Sequence, residues 1–276
     1  MITHNGKQVT LAMRNRKAIN LIARNGKAMF GEFEDWSTGG INRAAKAVIL
    51  AEYGKQVWSD VRDYAKAHPA IVPFINQDPH LAASISPNSN KTRWLQSDKV
   101  GNYFNLGVIL YGASTGVLLE YKMQGTAIGQ DSALFGARSG YGSNDYSINL
   151  GAWGLGNYYI GYGKSYGDVK VPTDGLKHSV YINQGEIRYD DLSKSYAVAN
   201  FQTPSPAWLF GSNGSAHYTS RLVFINGVKM WENNEPSHHF VPYRDPSTGE
   251  MELLDLVTAT LATRVGTFTE IIEDKQ

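Results

Sequence analysis

Apolar and polar residues are spaced with two periods in this chain, strand-like at both ends and helical between. In the first 35 residues Val9, Leu11 and Met13 alternate with other residues, as do Ile19 and Leu21, the period of a half-buried strand. A weak ten-residue repeat runs through the same stretch: GKQVTLAMRN (6–15), RKAINLIARN (16–25) and GKAMFGEFED (26–35). Asn5-Gly6 and Asn25-Gly26 are hairpin-turn dipeptides, because both central positions of a type I′ turn need positive φ. The pattern predicts a small β-meander of two or three strands. Strands so few and short are marginal alone, so the meander is expected to dock on a partner or on the rest of the chain.

After residues 37–40 (STGG) the period lengthens. Ala44, Ala47, Val48 and Ala51 fall at helical spacing, and so do Val57, Trp58, Val61, Tyr64 and Ala65. Gly54 divides the run into two helices and Pro69 ends it. The apolar stripe predicts either packing on a β domain or contact with another subunit. Residues 70–91, with Pro73, Pro79 and Pro87, read as an irregular connection that closes in a loop at PNSNK (87–91).

From Trp94 the spacing shortens again. Strands are predicted at Val108–Leu110, Gly116–Met123, Ser132–Ala137, Tyr146–Leu150, Tyr158–Tyr162, His178–Ile182 and Glu186–Tyr189. Others follow at Ala207–Phe210, Arg221–Val228 and Met251–Leu256. Short strands with Gly, Asn and Asp turns argue for a mainly β sandwich or jelly roll, and the lack of βαβ alternation argues against a doubly wound sheet. The expected division is a meander that acts as an anchor (1–35), a helical segment and linker (36–91) and an all-β domain (92–276).

Composition narrows the function classes. The 276 residues, 42% apolar, are enough for a real core. With 26 basic and 25 acidic residues the net charge is +1, and no basic excess points to nucleic acid. There are no cysteines, so disulfides, thiolate zinc sites and thiol nucleophiles are excluded. That fits synthesis in a bacterial cytoplasm. No apolar signal core opens the chain and no run is long enough for a membrane helix, so neither secretion nor a membrane partner is expected. Only 18% of residues are charged, whereas Gly (28) and Tyr (16) are abundant. Such a surface favours adhesive contact, since aromatics supply area at little entropic cost.

Several segments between Trp94 and Ile271 carry a resemblance, in order. They are GVLLEYKMQG (116–125), SALFGARSG (132–140), GLKHSVYINQGEI (175–187), AWLFGSNG (207–214), SRLVFINGVKMWENNE (220–235) and HHFVPYRDPSTGEMELLDLVT (238–258). Together they resemble the concanavalin A-like, laminin G-like jelly roll found in structural proteins of tailed phages of gut Bacteroidetes-type hosts. The N-terminal turns resemble short meanders on phage tail and fibre proteins. The resemblance implies a virion component without enzymatic activity, a fibre or decorating part; the alternatives are a dedicated receptor-binding lectin and, behind it, a glycoside hydrolase. Its expected partners are other virion proteins, sister copies in a dimer or trimer, and host or mucin glycans.

Candidate chemistry is sparse. Glycosidases on this fold need paired carboxylates. Glu186 with Asp190, and Glu250 with Glu252 beside Asp255, are the available pairs, and neither has the tight E-x-D-x-x-E arrangement. His238 and His239 are adjacent, so on a strand they point to opposite faces; after Pro236 they are expected to flank a turn. Asn144, Asp145 and Asp168 are the best calcium ligands on offer but form no dense acidic cluster, so no metal or other cofactor is expected. The remaining signal is aromatic and polar loop surface. Tyr141, Asn144, Asp145, Tyr158, Tyr162 and Tyr166 form the predicted glycan face, where sugar rings stack on tyrosine and bond to Asn and Asp.

Overall fold

The computed structural model describes residues 2–4, 7–9, 13–14, 17–18, 21–24, 27–30, 40–124, 132–138, 144–150, 157–170, 174–213, 217–218 and 223–275. In the N-terminal repeat, β1 (Ile2–His4) pairs with β2 (Lys7–Val9), β3 (Met13–Arg14) with β4 (Lys17–Ala18), and β5 (Leu21–Arg24) with β6 (Lys27–Phe30). Among the described residues these are three separate two-stranded ladders rather than one continuous meander. Each ladder pairs residues on either side of the position where a ten-residue unit begins, with partners such as His4 and Lys7 only three positions apart.

The helical segment forms α1 (Arg43–Glu52) and α2 (Gly54–Ala67), broken at Gly54, whose φ of +86° a side chain would disfavour. Asn42 caps α1 by accepting from Ala45 N at 2.9 Å. The buried stripe of α1 is Ala45 and Ile49, not the predicted Ala44, Ala47 and Ala51, which are exposed. The larger isoleucines Ile41 and Ile49 set the rotation, because they gain more from burial than alanine does. In α2 Val57, Trp58, Val61 and Ala65 are buried as their spacing predicts. The expected irregular connection instead holds α3 (Val72–Gln77) and α4 (Ala82–Ile85), each preceded by a 3₁₀ turn that starts at a proline, Pro69 or Pro79. A proline at the first position of a turn gives up no hydrogen bond, so it starts these helices instead of breaking them.

Strands β7 (Lys91–Ser97), β8 (Tyr103–Asn105), β9 (Thr115–Gln124), β10 (Ser132–Ala137) and β11 (Asp145–Leu150) open the β region. They are followed by β12 (Asn157–Lys170), β13 (Asp174–Asn183), β14 (Glu186–Tyr189), β15 (Leu192–Ser195), β16 (Trp208–Leu209), β17 (Gly211–Ser212) and β18 (His217–Tyr218). The last are β19 (Val223–Glu232), β20 (Glu235–Arg244), β21 (Met251–Asp255), β22 (Thr260–Leu261), β23 (Thr263–Val265) and β24 (Phe268–Asp274). The predicted strand at Val108–Leu110 is extended coil instead. Val108 O and Leu110 O accept from Ala207 and Thr203 without a continuous ladder.

Among the described residues most of these strands make two antiparallel sheets, and β17 and β18 pair separately. The larger runs β15-β14-β13-β9-β19-β20-β21-β22, with β7 also on β19 and β24 on β7; the smaller runs β12-β11-β10-β16-β8-β23. One core lies between them, where Val117, Leu119 and Tyr121 of β9 and Val180 and Ile182 of β13 share a cluster with Phe104, Phe135, Ile148 and Ile160. The architecture is a jelly-roll sandwich, mainly β, as the strand spacing predicts. A second core lies on the back of the large sheet, where Val241, Tyr243, Leu254 and Leu256 pack on Ile49, Val57, Val61, Ile71 and Ile75. The helices therefore cover one end of that outer face.

A β-bulge in β19 decides which of its side chains turn outward. The register with β9 shifts between Ile225 and Gly227, so Val223 and Ile225 face the core before it and Val228 and Met230 after it. Gly227 sits at φ +148°, and a Cβ there would lie 2.3 Å from Phe240 O. Beyond the bulge Lys229 and Trp231 take the outer face.

Candidate functional site: the outer face of the large sheet

The residues predicted to bind glycan are not gathered on one surface. Tyr141 lies outside the described residues. Tyr158 and Tyr166 belong to β12, but their side chains lie outside the described set, as does that of Asp168. Asn144 is exposed at the start of β11. Two predictions are corrected. Tyr162 is a core residue, 1% exposed, whose hydroxyl donates to Gly112 O at 2.7 Å and accepts from Ala199 N at 3.2 Å. Asp145 is buried, and its carboxylate lies 3.3 Å from Nε of the equally buried Arg138. Strand alternation turns Tyr162, opposite Tyr146, into the core and puts Asp145 on the other face of the small sheet, buried against Arg138, so neither is open to a sugar.

The carboxylates considered for hydrolysis already have partners. Glu186 accepts from Arg188 Nε and Nη2 at 2.7 and 3.0 Å, which holds it below its ordinary pKa. Asp190 binds His178 Nδ1 at 2.8 Å. Glu250 and Glu252 both pair with Arg264; burial lifts the Glu252 pKa while Arg264 opposes the rise. His238 and His239 lie inside β20, not beside a turn, and their side chains part as alternation requires. His238 Nδ1 meets Asp255 Oδ2 at 2.7 Å, whereas His239 joins the outer face. Among the described residues no group of three or more His, Asp or Glu side chains could hold a metal ion.

What the sheet does assemble is a tract on the outer face of β13, β9 and β19. Registers place Asn183, Gly116 and Trp231 in one row, then Tyr181, Leu118 and Lys229, then Ser179, Glu120 and Gly227. Neighbouring rows are separated by roughly 7 Å and the tract by roughly 14 Å. Tyr181 and Trp231 meet edge to face with ring centroids 6.1 Å apart, and the Arg188 guanidinium lies 4.6 Å from the Tyr181 ring. Gly116 lies between Asn183 and Trp231 in its row: a Cβ there would come within 3.2 Å of Asn183 Oδ1 and 3.5 Å of the Trp231 ring. Asn183 donates to Asn234 at 3.2 Å, and its own Oδ1 is buried with no hydrogen-bond partner among the described residues. Both rings are half-buried and accessible beside this amide pair.

Next to Lys229 on β20 stands His239, also on the outer face. Burial, reinforced by the Lys229 charge, pushes its pKa down to about 4, so the imidazole is neutral at physiological pH. At the far end of the tract Glu120 pairs with Lys177 at 2.5 Å and Asn226 at 3.0 Å. Burial alone would raise the Glu120 pKa; these partners hold it below the ordinary value. None of the tract residues was predicted from the sequence. A usable signal existed in VKMW (228–231), where Lys229 and Trp231 alternate with buried Val228 and Met230.

Fold and tract define a class: a helix-capped jelly-roll sandwich with an aromatic and polar outer face. No family model matches the chain, and no curated protein does. Among solved structures it is similar to domains LG4–5 of the mouse laminin α1 chain (12% identity, TM-score 0.35, covering 53% of this chain and 43% of that one). It is similar to a Bacteroides ovatus protein described as carbohydrate binding (11% identity, TM-score 0.44, 67% and 60% covered). A third is the Trypanosoma rangeli sialidase (12% identity, TM-score 0.35, 64% and 37% covered). The chain thus spans less than two thirds of the length of each.

Proposed function

We propose that this chain is a non-enzymatic structural component of a tailed-phage virion, a fibre or decorating part that adheres to glycans through the outer face of its large sheet. The observation that carries adhesion is the Tyr181–Trp231 ring pair, with Asn183 and Asn234 alongside. Sugar rings stack on aromatic faces, and their hydroxyls bond to amides such as these. The virion setting rests on the ordered sequence resemblance between Trp94 and Ile271. Commitment of the described candidate carboxylates to Arg188, His178 and Arg264 supports binding without hydrolysis. The N-terminal ladders, too small to stand alone, would serve as anchor to sister copies in a dimer or trimer or to other virion proteins.

The test is binding of the full chain to a panel of bacterial capsular and mucin glycans, with Trp231→Ala and Tyr181→Ala beside it. Saturable binding that Trp231→Ala abolishes is the expected result. Failure to bind any glycan would leave a purely structural part, and release of oligosaccharide would replace adhesion by hydrolysis.

A further inference from the structure

A cleft of about 260 Å³ lies where the helical segment meets the outer face, just beyond Lys229 in the tract. One wall is the Ala83–Pro87 stretch and the floor is β9 and β19 around Glu120 and Asn226. Lys177, Lys229 and Lys275 line it, against Glu120 as its one carboxylate. With His239 neutral, the cleft carries a net charge of about +2. Glu120 is answered by Lys177 and Asn226, whereas Lys229 makes no close ion pair among the described residues and acts on Glu120 only at longer range. The pKa of Lys275 is lowered by burial and then by Lys177, as expected where cations crowd without enough anions. Around the adjoining cleft the carboxylates are spent: Glu273 pairs with Lys122, and Asp274 with Lys91 at 3.7 Å.

We propose that this cleft receives the anionic group of an acidic saccharide whose neighbouring units lie over Tyr181 and Trp231. The proposal rests on the glycan-binding reading above and specifies its ligand class. Two facts favour a sugar over a free anion. The cleft is continuous with the aromatic rows through Lys229, and Ser84, Ser86, Thr92 and Asn226 line it among the cations. The cations are lysines, point charges that do not impose the bidentate geometry of arginine, so carboxylated and sulfated sugars share the required chemistry.

The experiment measures affinity of the full chain for polygalacturonate, for its carboxyl-reduced neutral counterpart and for dextran sulfate, at low and high salt. The acidic polymers are expected to bind about tenfold tighter than the reduced one at low salt. The double variant Lys229→Gln/Lys275→Gln is expected to bring that ratio to about one, whereas Trp231→Ala weakens all binding. Binding of only one acidic polymer supports the proposal and names the source of the charge. Equal affinity for acidic and reduced polymers, or a ratio unmoved by the lysine substitutions, overturns the anionic subsite and leaves glycan adhesion standing. No binding to any polymer overturns both.

Discussion

Arg93 Nη1 donates to Asp78 Oδ2 at 2.6 Å, with both side chains all but sealed from solvent. Arg93 belongs to β7 in the large sheet, and Asp78 to the turn between α3 and α4, so this bond ties the helical segment to the sandwich. Asp78 Oδ2 also accepts from Arg244 N at 2.8 Å, and Arg93 donates to Glu270 and to Pro242 O. The helices are held by charge as well as by the apolar contacts of the second core.

Breaking this pair on one side leaves a charge buried without its partner. Arg93→Met is expected to cost about 3–5 kcal/mol of unfolding free energy, read from urea denaturation. Loss of helix and of sandwich should remain a single transition, because the second core is shared between them. A helical segment that melts separately in the wild type would refute the joint packing.

The same network sets an acid limit. Burial alone would raise the Glu270 pKa, but Arg93 and Arg244 hold it below the ordinary carboxylate value. A carboxylate depressed in the folded state contributes stability above its unfolded pKa near 4.5, and loses it as pH falls through the folded value. Glu270→Gln should therefore flatten the fall in stability below that pH. An unchanged acid limb in the variant would assign the loss to other groups.

Much of the sandwich was legible in the sequence, because alternation of buried and exposed residues in β9, β13 and β14 is a local property. The helix break at Gly54 was equally plain. What stayed hidden depends on contacts remote in sequence. The prolines at 69 and 79 read as breakers because only packing on β20 and β21 shows that short helices fit there. The tract stayed hidden because its parts, Tyr181, Gly116 and Trp231, are far apart in the chain and only strand register brings them together. The abundant tyrosines of the loops gave the stronger local signal.

Tyr162 separates those two readings by experiment. Its hydroxyl bonds two backbone groups in the core, so Tyr162→Phe leaves Gly112 O and Ala199 N short of a partner. The expected cost is about 1–2 kcal/mol of stability, with glycan affinity unchanged. A loss of glycan affinity without a change in melting would return Tyr162 to the binding face.

His178 and His239 should titrate in opposite directions. Burial opposes charge on His178, but hydrogen bonds to Asp174 and Asp190 outweigh it and raise its pKa above 6.5. His239 falls to about 4. In stability terms, His178 contributes below its unfolded pKa and loses that contribution as pH rises through its folded value. His239 costs stability as pH falls from 6.5 towards 4. NMR titration of the ring protons reads both, and Asp190→Asn should lower the His178 value alone. A His239 ring that titrates near 6.5 would show the face beside Lys229 to be well hydrated.

Gly227 links the core to the proposed binding face. At φ +148°, with Phe240 O where a Cβ would stand, Gly227→Ala must either strain the backbone or shift β19 against β20. The strain alone is expected to cost about 1–3 kcal/mol. A shift would do more, because a one-residue slip exchanges the faces of a strand. Val228 and Met230 would leave the core, and Lys229 and Trp231 would leave the tract. The variant should therefore lose glycan binding together with stability, measured by the panel assay and urea denaturation on the same sample. Full affinity in a destabilised Gly227→Ala protein would mean that the bulge shapes the core without placing Trp231.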